Sequence, residues 1–297
     1  MRVFVTGATG FIGSAVVHEL IKAGHEALGL ARSDSAADKL IAAGATVHRG
    51  DLEDLDSLRS GAAGADGVIH TGFIHDFARF REVCETDRLV IETIGSVLKG
   101  STRPFIVTSG TGLLAQGSLA LEADMPAPGP NPRIASEEAA DSVAALGVRV
   151  SILRLPPSVH GEGDHGFVPL LINIARQKGI SAYKGEGLNR WPAVHRFDAA
   201  RLFRLALEKA PEPGTRFHGV AEEGVSFRDI AQAIGKGLHL PAVSKSPEEA
   251  TVHFDWFAHF ASLDNPSSGR QTQEALGWKP DQPGLIEDLS QESYFRI

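Results

Sequence analysis

The sequence predicts an α/β fold in which a doubly wound parallel sheet is followed by a smaller, mostly helical region. Strand-like and helix-like segments alternate from the first residues to about Leu155. Such alternation requires parallel strands joined by right-handed crossovers. The stretch TGATGFIG places Gly7, Gly10 and Gly13 in the first turn of this series. Beyond Leu155 the alternation gives way to loops rich in Gly, Pro and His, which predicts a second region laid over the carboxyl edge of the sheet.

The elements of the first half follow from apolar runs that glycine and proline interrupt. Residues 2–6 form a short β-rich run, and residues 11–23 are apolar at helical spacing and stop at Gly24. A later helix has a marked start, because Asn131 can cap it and Pro132 fits its first position. The remaining strands are predicted at residues 26–31, 45–49, 66–70, 104–108 and 148–154, with helices from 34 to 44, from 54, and from 76 to 99.

The second half is predicted to contain scattered helices. They are expected at residues 167–178 and 198–209, and Ser226 with Asp229 resembles a capping box that opens a third. We therefore divide the chain into two units. The first unit comprises residues 1–155, rejoined by about 193–215, and the second comprises residues 156–192 and 216–297.

Composition excludes several classes of protein. The 297 residues are 42% hydrophobic and 22% charged, as in an ordinary globular protein with an ample core. A formal net charge of -8 argues against a surface that binds nucleic acid or anionic membrane, so the expected partner is a small-molecule substrate. Cys84 is the only cysteine, which excludes an internal disulfide and cysteine-based zinc sites. With no signal-peptide core and no membrane-spanning stretch, the expected compartment is the cytoplasm.

The glycine turn predicts a site for a pyrophosphate. A turn between a first strand and its helix gathers unpaired backbone N–H groups and the positive end of a helix dipole. Gly7 allows the tight turn, Gly10 allows close approach of a ligand, and Gly13 allows close packing of helix and strand. The sequence therefore predicts a bound dinucleotide. Its contacts in the turn are expected from Gly7, Thr9, Gly10, Phe11, Ile12 and Gly13.

The end of the second strand favours NADP over NAD. An NAD site usually has an acidic residue there, which accepts hydrogen bonds from the adenosine ribose. Here alanine stands at that position, and Arg32 and Ser33 follow it with groups suited to a 2′-phosphate. Asp34 would restore an NAD site if the strand were misplaced by one residue, but we interpret it as the cap of the next helix. Asp51 and Leu52, after the third strand, are expected to flank the adenine, although Asp51 is also placed to cap a helix.

Several motifs, in order along the chain, resemble those of the extended short-chain dehydrogenase/reductase superfamily. They are TGATGFIG, the Asp51-Leu52 pair, VIH in the fourth strand, the Thr-Ser pair of the fifth, RLPPSVHG and VHRFDAARL. That superfamily includes nucleotide-sugar epimerases and dehydratases and 3β-hydroxysteroid dehydrogenases. The resemblance implies a Rossmann fold, a substrate-binding second region, and a homodimer formed through the long helix and the Pro132 helix. It adds expected cofactor contacts by His70, Thr71, Ser109, Pro156 and Ser158.

The tyrosine and lysine on which catalysis in this superfamily normally depends are missing from their expected place. Members carry Tyr-x-x-x-Lys in the helix after the fifth strand, where the lysine lowers the tyrosine pKa and the phenol transfers a proton. This chain has only two tyrosines, and neither Tyr183 nor Tyr294 has lysine four residues on. In the expected helix Arg133 stands at the tyrosine position and Glu137 at the lysine position. The chemistry therefore needs another proton source.

Arg133 and Glu137 have two alternative interpretations. An arginine stays charged at neutral pH, so Arg133 can polarise a carbonyl or stabilise an oxyanion but cannot donate the proton. Glu137 can accept hydrogen bonds from the ribose hydroxyls of the cofactor. The alternative is that the two side chains, four residues apart on one helix, form only a surface ion pair. Ser109 and Thr111 supply hydroxyls at the same edge, and we expect Ser109 to contact the ligand.

Histidines are the remaining candidates for proton transfer. His160 and His165 lie on the loop after the sixth strand, and His195 lies where the chain returns toward the site. Each can titrate near neutral pH, and His160 is the predicted acid, although a loop histidine bonded to backbone is the alternative. The group formed by His160, Glu162, Asp164 and His165 also suggests a metal cluster, but it lacks a fixed ligand spacing, so we predict no metal.

The sequence predicts an NADP-dependent oxidoreductase that acts on a small carbonyl, alcohol or imine with an altered proton relay. The alternative is a non-catalytic NADP-binding sensor or scaffold, and a third hypothesis is a nucleotide-sugar epimerase or dehydratase. We interpret a further basic pair, His75 and Arg79, as surface of the long helix. The predicted catalytic residues are Ser109, Arg133, Glu137 and His160.

Overall fold

The computed structural model describes residues 1–114, 117–127, 129 and 131–296. Its centre is a parallel sheet whose strands are joined by helices. Among the described residues, no helix is long and apolar enough to cross a bilayer. The strands are β1 (Arg2–Thr6), β2 (Glu26–Ala31), β3 (Thr46–Arg49), β4 (Gly67–His70), β5 (Phe105–Gly110), β6 (Val150–Leu155), β7 (Ser158–His160), β8 (Ser181–Lys184), β9 (Arg190–His195), β10 (Thr215–His218), β11 (Glu222–Ser226) and β12 (Ala242–Lys245).

Helices follow most strands of the first half, and two of them are preceded by short 3₁₀ turns. One turn, Phe77–Arg79, leads into the long fourth helix, and the other, Pro132–Ile134, leads into the fifth. The α-helices are α1 (Phe11–Lys22), α2 (Asp34–Ala42), α3 (Leu55–Ala63), α4 (Phe80–Leu98), α5 (Ala135–Ala145), α6 (Phe167–Lys178), α7 (Arg196–Lys209), α8 (Phe227–Leu238), α9 (Pro247–Phe254), α10 (Ala258–Ala261), α11 (Arg270–Leu276) and α12 (Leu285–Asp288).

The main sheet has seven parallel strands in the order β10-β6-β5-β4-β1-β2-β3. The chain starts at β1, runs outward to β3 and then crosses to β4 on the other side of β1. The topological switch point therefore lies between β1 and β4, and ligands of such sheets bind outside the carboxyl ends of the strands at that point. The predicted doubly wound α/β fold is confirmed.

Alternate residues of the central strands pack on opposite faces of the sheet. Val3 and Val5 of β1 are fully buried in a cluster with α1 and α7. Phe4, between them, is fully buried in a second cluster with α3, α4 and α5. Because both faces are covered, the short strands are apolar on both sides. The two helical layers hold the carboxyl edge of the sheet rigidly in place.

The second half contains short strands that sequence analysis missed. β7, β9 and β11 form a three-stranded sheet, and β8 pairs with β12. β7 has only three residues, too few for a hydrophobic period to be recognised. The RWPAVH stretch, where the chain returns toward the site, is β9, and α6 spans the predicted residues. The rest of this region is helical and packs around a cluster of aromatic side chains.

Local signals for helix starts were correct in part. Asn131 accepts a hydrogen bond from the backbone two residues on, as a cap should, but Pro132 begins a 3₁₀ turn rather than α5 itself. Ser33, not Asp34, caps α2, because its hydroxyl accepts from the N–H of Ala36 and Asp34 is already helical. α7 packs on α1, and β10 completes one edge of the main sheet. The division into two units stays a prediction.

Candidate active site

The turn between β1 and α1 has no room for side chains. Gly7 has a φ of +65°, and a Cβ there would lie 2.7 Å from the backbone N of Gly72. A Cβ on Gly13 would lie 2.0 Å from the carbonyl oxygen of Gly7. Both positions therefore need glycine, which lets the turn pack against the loop after β4. Gly10 caps α1 without a side chain, so the first N–H groups of the helix are available to an anion. This cradle fits the diphosphate of a dinucleotide.

Thr6, His70 and Thr71 hold the glycine turn against β4. Thr71 donates from Oγ1 to the carbonyl oxygen of Thr6 at 2.7 Å, and the N–H of Gly72 donates to Oγ1 of Thr6 at 3.2 Å. The same Oγ1 lies 2.6 Å from Nδ1 of His70, which is buried. Leu52 packs beside Gly72, where a Cβ would lie 3.1 Å from its Cδ2. His70, Thr71 and Leu52 therefore lie next to the turn, and their contact with a cofactor stays a prediction.

The residues predicted to bind the adenosine end lie together at the ends of β2 and β3. Arg32 has an 80% exposed side chain, and its Nε lies 3.6 Å from Oδ2 of Asp51. Ser33 caps α2, which leaves its hydroxyl proton free to be donated. Asp34, the residue that would favour NAD, forms an ion pair with Arg49 in which Nη2 lies 2.6 Å from Oδ1. Sequence reasoning did not single out Arg49.

Arg133 lies in a hydrogen-bond network at the carboxyl edge of the sheet. Its Nη1 donates to Oδ2 of Asp87 at 3.0 Å and to Oγ of Ser136, and its Nη2 donates to the carbonyl oxygen of Thr108 at 3.2 Å. The guanidinium carbon lies 4.4 Å from the ring centroid of Phe73, a cation–π contact. Among the described residues, Nε–H and one N–H of Nη2 have no partner. Those two donors are available to a ligand.

Asp87 joins Arg133 to the glycine turn. Its Oδ1 lies 2.9 Å from Nε2 of His70, whose other nitrogen contacts Thr6, and Ser136 donates to its Oδ2. Burial alone would raise the pKa of the Asp87 carboxyl, but Arg133 and His70 outweigh burial and lower the pKa. The ionised carboxylate therefore fixes the guanidinium in one position. Sequence reasoning missed Asp87, although an acidic residue on the apolar stripe of α4 needs a buried partner.

Glu137 belongs to a different buried network. Ser109 donates from Oγ to Oε1 at 2.7 Å, and Arg154 donates from Nε to Oε1 and from Nη2 to Oε2, each at 2.8 Å. Burial would raise the pKa of Glu137, but the hydrogen bonds and charge of Arg154 lower it. The alternative of a surface ion pair between Arg133 and Glu137 is wrong, because each binds another partner and Glu137 is 2% exposed. The missed signal was Arg154, an arginine inside the buried strand β6.

His160 is bound to the C-terminal part of the chain. Its Nδ1 lies 2.8 Å from Oδ2 of Asp288, to which the Tyr294 hydroxyl also donates at 3.3 Å. That hydroxyl accepts from the N–H of Gly161 at 2.7 Å. The Nε2 of His160 is buried without a partner among the described residues, and the His195 ring lies 5.4 Å away between centroids. The alternative interpretation of His160, as a loop histidine bonded only to backbone, is therefore wrong, because its side chain binds a carboxylate.

His75 lies beside Arg133 at the open side of the site. Partial burial lowers the pKa of His75, and the positive charges of Arg133 and His165 lower it further, so the ring is neutral at pH 7. It lies 5.3 Å from Phe73, the ring on which Arg133 rests. The interpretation of His75 as surface of the long helix is wrong, because it precedes the 3₁₀ turn before α4. Arg79, its supposed partner, binds two neighbouring carboxylates instead.

The remaining candidates lie on the loops and strands after β5 and β6. Ser158 is buried on β7, its hydroxyl has no partner within the described part of the chain, and its contact with a cofactor stays a prediction. Pro156 directly follows β6. Thr111 donates to Oδ1 of Asn265 at 2.9 Å, which ties the loop after β5 to the second half. In the same described residues, no group of three or more His, Cys, Asp or Glu side chains is placed to hold a metal ion.

A doubly wound sheet with a glycine turn at its first β–α junction, and polar groups gathered at the switch point, defines a dinucleotide-binding protein. Residues 7–168, more than half of the chain, match the sequence model of the NAD(P)H-binding family. The chain belongs to this family, and its fold is similar to that of a dTDP-glucose 4,6-dehydratase and a UDP-glucose 4-epimerase. An NAD(P) cofactor and a redox function in the broad sense follow from that membership and from the relatives.

Three relatives illustrate the similarity. The chain is 55% identical to uncharacterized protein C2A9.02 of Schizosaccharomyces pombe, over 99% of this chain and 100% of that protein. It is 28% identical to a 2-alkyl-3-oxoalkanoate reductase of Stenotrophomonas maltophilia, over 85% of this chain and 80% of the reductase. In structure it is similar to the dTDP-glucose 4,6-dehydratase of Streptomyces venezuelae with NAD bound, with a TM-score of 0.77, 21% identity, and coverage of 99% and 97% of the two chains.

Proposed function

We propose that the protein is an NADP-dependent oxidoreductase that interconverts a small carbonyl compound and its alcohol, or an imine and its amine. One observation carries the choice of NADP. Ala31 stands where an acidic residue would select NAD, Arg32 and Ser33 follow it, and the carboxylate of Asp34 is bound to Arg49. Arg32 has only a 3.6 Å contact with Asp51. Its planar guanidinium is suited to bind a 2′-phosphate through two hydrogen bonds.

The glycine turn supports the position of the cofactor. The close approach of Gly7 and Gly13 to neighbouring backbone leaves the start of α1 bare, which suits a diphosphate. The nicotinamide ring, when bound, would supply or accept the hydride. The chain itself contributes binding, orientation and electrostatics at the reacting group.

Arg133 is the group that we assign to the reacting oxygen. Two of its N–H groups have no partner in the described residues, while Asp87, Ser136 and Thr108 hold the other three. A donor that is fixed before the reaction stabilises developing negative charge without reorganisation. Because the Asp87 carboxylate balances the guanidinium charge, Arg133 acts as an oriented hydrogen-bond donor at the carbonyl oxygen.

We propose that the proton for the reacting oxygen comes from solvent and is transferred by His75. The residue keeps access to solvent although its ring is partly buried, and the lowered pKa of His75 makes the imidazolium a stronger acid once a proton arrives. His160, the acid expected from sequence, is fully buried and held by Asp288. We therefore propose that His160 orients the loop after β7 and that His75 carries the proton.

The substrate class is supported by one relative. The Stenotrophomonas maltophilia reductase has a 3-oxoalkanoate in its name, that is, a ketone with a carboxylate nearby. We propose that this chain also acts on a ketone, because the free N–H groups of Arg133 suit a carbonyl oxygen. We propose small ketones and aldehydes as the first compounds to test.

One observation favours a second candidate, a non-catalytic NADP-binding sensor or scaffold. Ser109 and Glu137 are two of the four predicted catalytic residues; Ser109 donates to Glu137, and Glu137 also accepts from Arg154. Side chains with filled hydrogen bonds support the fold rather than a reaction. The hypothesis of an epimerase or dehydratase has weaker support. The similar solved structures that would favour it are at most 21% identical to this chain, so they bear on the fold alone.

The choice of cofactor is tested by titrating NADPH and NADH against the protein and its Arg32→Ala variant, with fluorescence as the readout. We expect the wild type to prefer NADPH and the variant to lose about tenfold or more of its NADPH affinity, because one charged hydrogen-bond partner is removed. NADH affinity should stay unchanged. Arg270→Ala, which removes an equally exposed arginine elsewhere, is the control. Equal affinities for the two nucleotides in the wild type would contradict the proposal.

The reaction is tested by turnover of a panel of ketones and aldehydes with NADPH. We expect Arg133→Ala to lower kcat by about a hundredfold while NADPH affinity stays within a few-fold of the wild type, as for loss of one oxyanion donor. Arg133→Lys, which keeps a charge but not the fork, should recover only part of the rate. A panel that is wholly inert beside tight NADPH binding would favour the sensor or scaffold instead.

A further inference from the structure

α1 and α7 are parallel neighbours whose N-termini lie together at the carboxyl edge of the sheet. Ser14 in the first turn of α1 contacts Arg196 at the start of α7, and Glu19 further along α1 contacts Arg204 further along α7. His195 caps α7. Each helix N-terminus carries the equivalent of roughly half a positive charge. Two positive ends side by side repel each other unless an anion lies between or above them.

Arg196 adds a full positive charge at this point. Its Nη2 donates to Oγ of Ser14 at 3.1 Å, and its guanidinium carbon lies 4.7 Å from the ring centroid of Phe11 and 5.2 Å from that of Phe197. Both aromatic contacts and Ser14 are at the starts of the two helices. The guanidinium is therefore held flat against the beginning of α1, beside the glycine turn.

In the part of the chain that the structure describes, Arg196 forms no ion pair with a carboxylate. Arg204, two turns further along the same helix, forms ion pairs with Glu19 and Glu208 at 2.8 Å each. The polar partners of Arg196 are the hydroxyl of Ser14 and the carbonyl oxygen of Glu162, and its Nε is buried without a partner in the described residues. Burial lowers the pKa of Arg196, and the negative charge of Glu162 offsets this effect only in part. The guanidinium therefore has a charge nearby but no carboxylate in contact among the described residues.

The loop at residues 161–166 packs on Arg196 and on the start of α1. Gly161 has a φ of +135°, and a Cβ there would lie 2.9 Å from Nε2 of His195 and 3.0 Å from Cγ of Arg196. Arg196 donates from Nη1 to the carbonyl oxygen of Glu162 at 2.9 Å. His165, near the other end of the loop, contacts the Phe11 ring with centroids 5.7 Å apart. Arg196 therefore connects this loop to the first turn of α1.

We propose that Arg196 is a cofactor-binding residue that supplies a side-chain charge to the diphosphate and holds the 161–166 loop over the start of α1. This inference rests on the proposed function. Two helix N-termini and one guanidinium together carry about two positive charges, which is the charge needed to balance a diphosphate.

The test compares dinucleotide affinity in the wild type, Arg196→Gln, Arg196→Lys and Arg204→Gln. NADPH and NADH, titrated by fluorescence, carry the diphosphate, whereas adenosine 2′-monophosphate, titrated by calorimetry, does not. We expect Arg196→Gln to weaken both dinucleotides by about tenfold to a hundredfold, Arg196→Lys to recover part of the loss, and the monophosphate to be unaffected. Arg204→Gln, which removes the matched arginine on the same helix, should leave all three affinities unchanged.

Two results would overturn the inference. One is an Arg196→Gln variant that binds both dinucleotides within twofold of the wild type. The other is an equal loss for the dinucleotides and the monophosphate, which would indicate only a disturbed fold. A wild type that prefers NADH would refute the choice of NADP and leave this inference standing, because both dinucleotides contain the diphosphate. A wild type that binds neither dinucleotide would refute both.

Discussion

Arg133 and Glu137 lie one helical turn apart, yet their surroundings differ. Glu137 is fully enclosed, and both of its oxygens accept hydrogen bonds from Arg154 and Ser109. Arg133 is 19% exposed and binds Asp87, but two of its N–H groups have no partner among the described residues. A filled polar network stabilises the fold, whereas an incomplete one at the edge of a sheet can bind a ligand. From this difference we propose a structural role for Glu137 and a catalytic role for Arg133.

The pKa shifts of three acids, two in the first half of the chain and one in the second, follow the same distinction between paired and unpaired groups. Asp87 and Glu137 each have an arginine in contact, and the pKa of each carboxyl is lowered despite burial. Asp164, on the loop after β7, accepts from the N–H of Gly166 and has no arginine in hydrogen-bond contact among the described residues, and burial raises its pKa to about 6. In these three acids the direction of the pKa shift follows the presence of such an arginine.

The largest expected effect is on Glu137. Glu137→Ala leaves the guanidinium of Arg154 buried without its carboxylate, so the free energy of unfolding should fall by about 3–5 kcal/mol. Urea denaturation followed by circular dichroism measures the change. Glu138→Ala, at the next position of α5, is the control, because that exposed acid pairs with Arg88 and should cost less than about 1 kcal/mol. Equal losses in the two variants would mean that enclosure of the ion pair does not matter.

The fold and the glycine turn were predictable because their signals are local. Three glycines at fixed spacing and the alternation of apolar periods lie within a few residues of the structures that they specify. The partners of Arg133 and Glu137 were not predictable, since Asp87 is 46 positions from Arg133 and Arg154 is 17 from Glu137. Such pairs depend on which elements pack together. A charged residue inside an apolar stripe indicates that it has a buried partner, but the pattern does not show which residue that partner is.

The next effect concerns pH and Asp164. The pKa of this carboxyl is raised in the folded chain from 3.8 to about 6, so the folded state binds the proton more tightly than the unfolded state. The free energy of unfolding should therefore fall as pH rises from about 4 to about 7. Asp164→Asn keeps an oxygen for the N–H of Gly166 but cannot ionise. It should be more stable than the wild type by about 3 kcal/mol at pH 8 and equal to it below about pH 4.

Thermal or urea unfolding of both proteins across that pH range measures the difference. Glu287→Gln, at an exposed acid on α12, is the control: it keeps Asp164, so its stability should fall with pH as that of the wild type does. The difference in the free energy of unfolding between Asp164→Asn and the wild type should change with pH. If it does not, Asp164 is ionised in the fold and the distinction between paired and unpaired acids fails.

The smallest expected effect is a difference in the free energy of unfolding between variants at two buried serines. Ser109 donates its hydroxyl to Glu137, so Ser109→Ala should lower the free energy of unfolding by about 1 kcal/mol. Ser158 is equally buried, but its hydroxyl has no partner within the described residues, so Ser158→Ala should change stability by less than about 0.5 kcal/mol. NADPH titration sharpens the contrast, because only Ser158→Ala should weaken binding if the free hydroxyl serves the cofactor. A stability loss at Ser158 as large as that at Ser109 would show that an internal partner, such as a bound water, already fills its hydrogen bond.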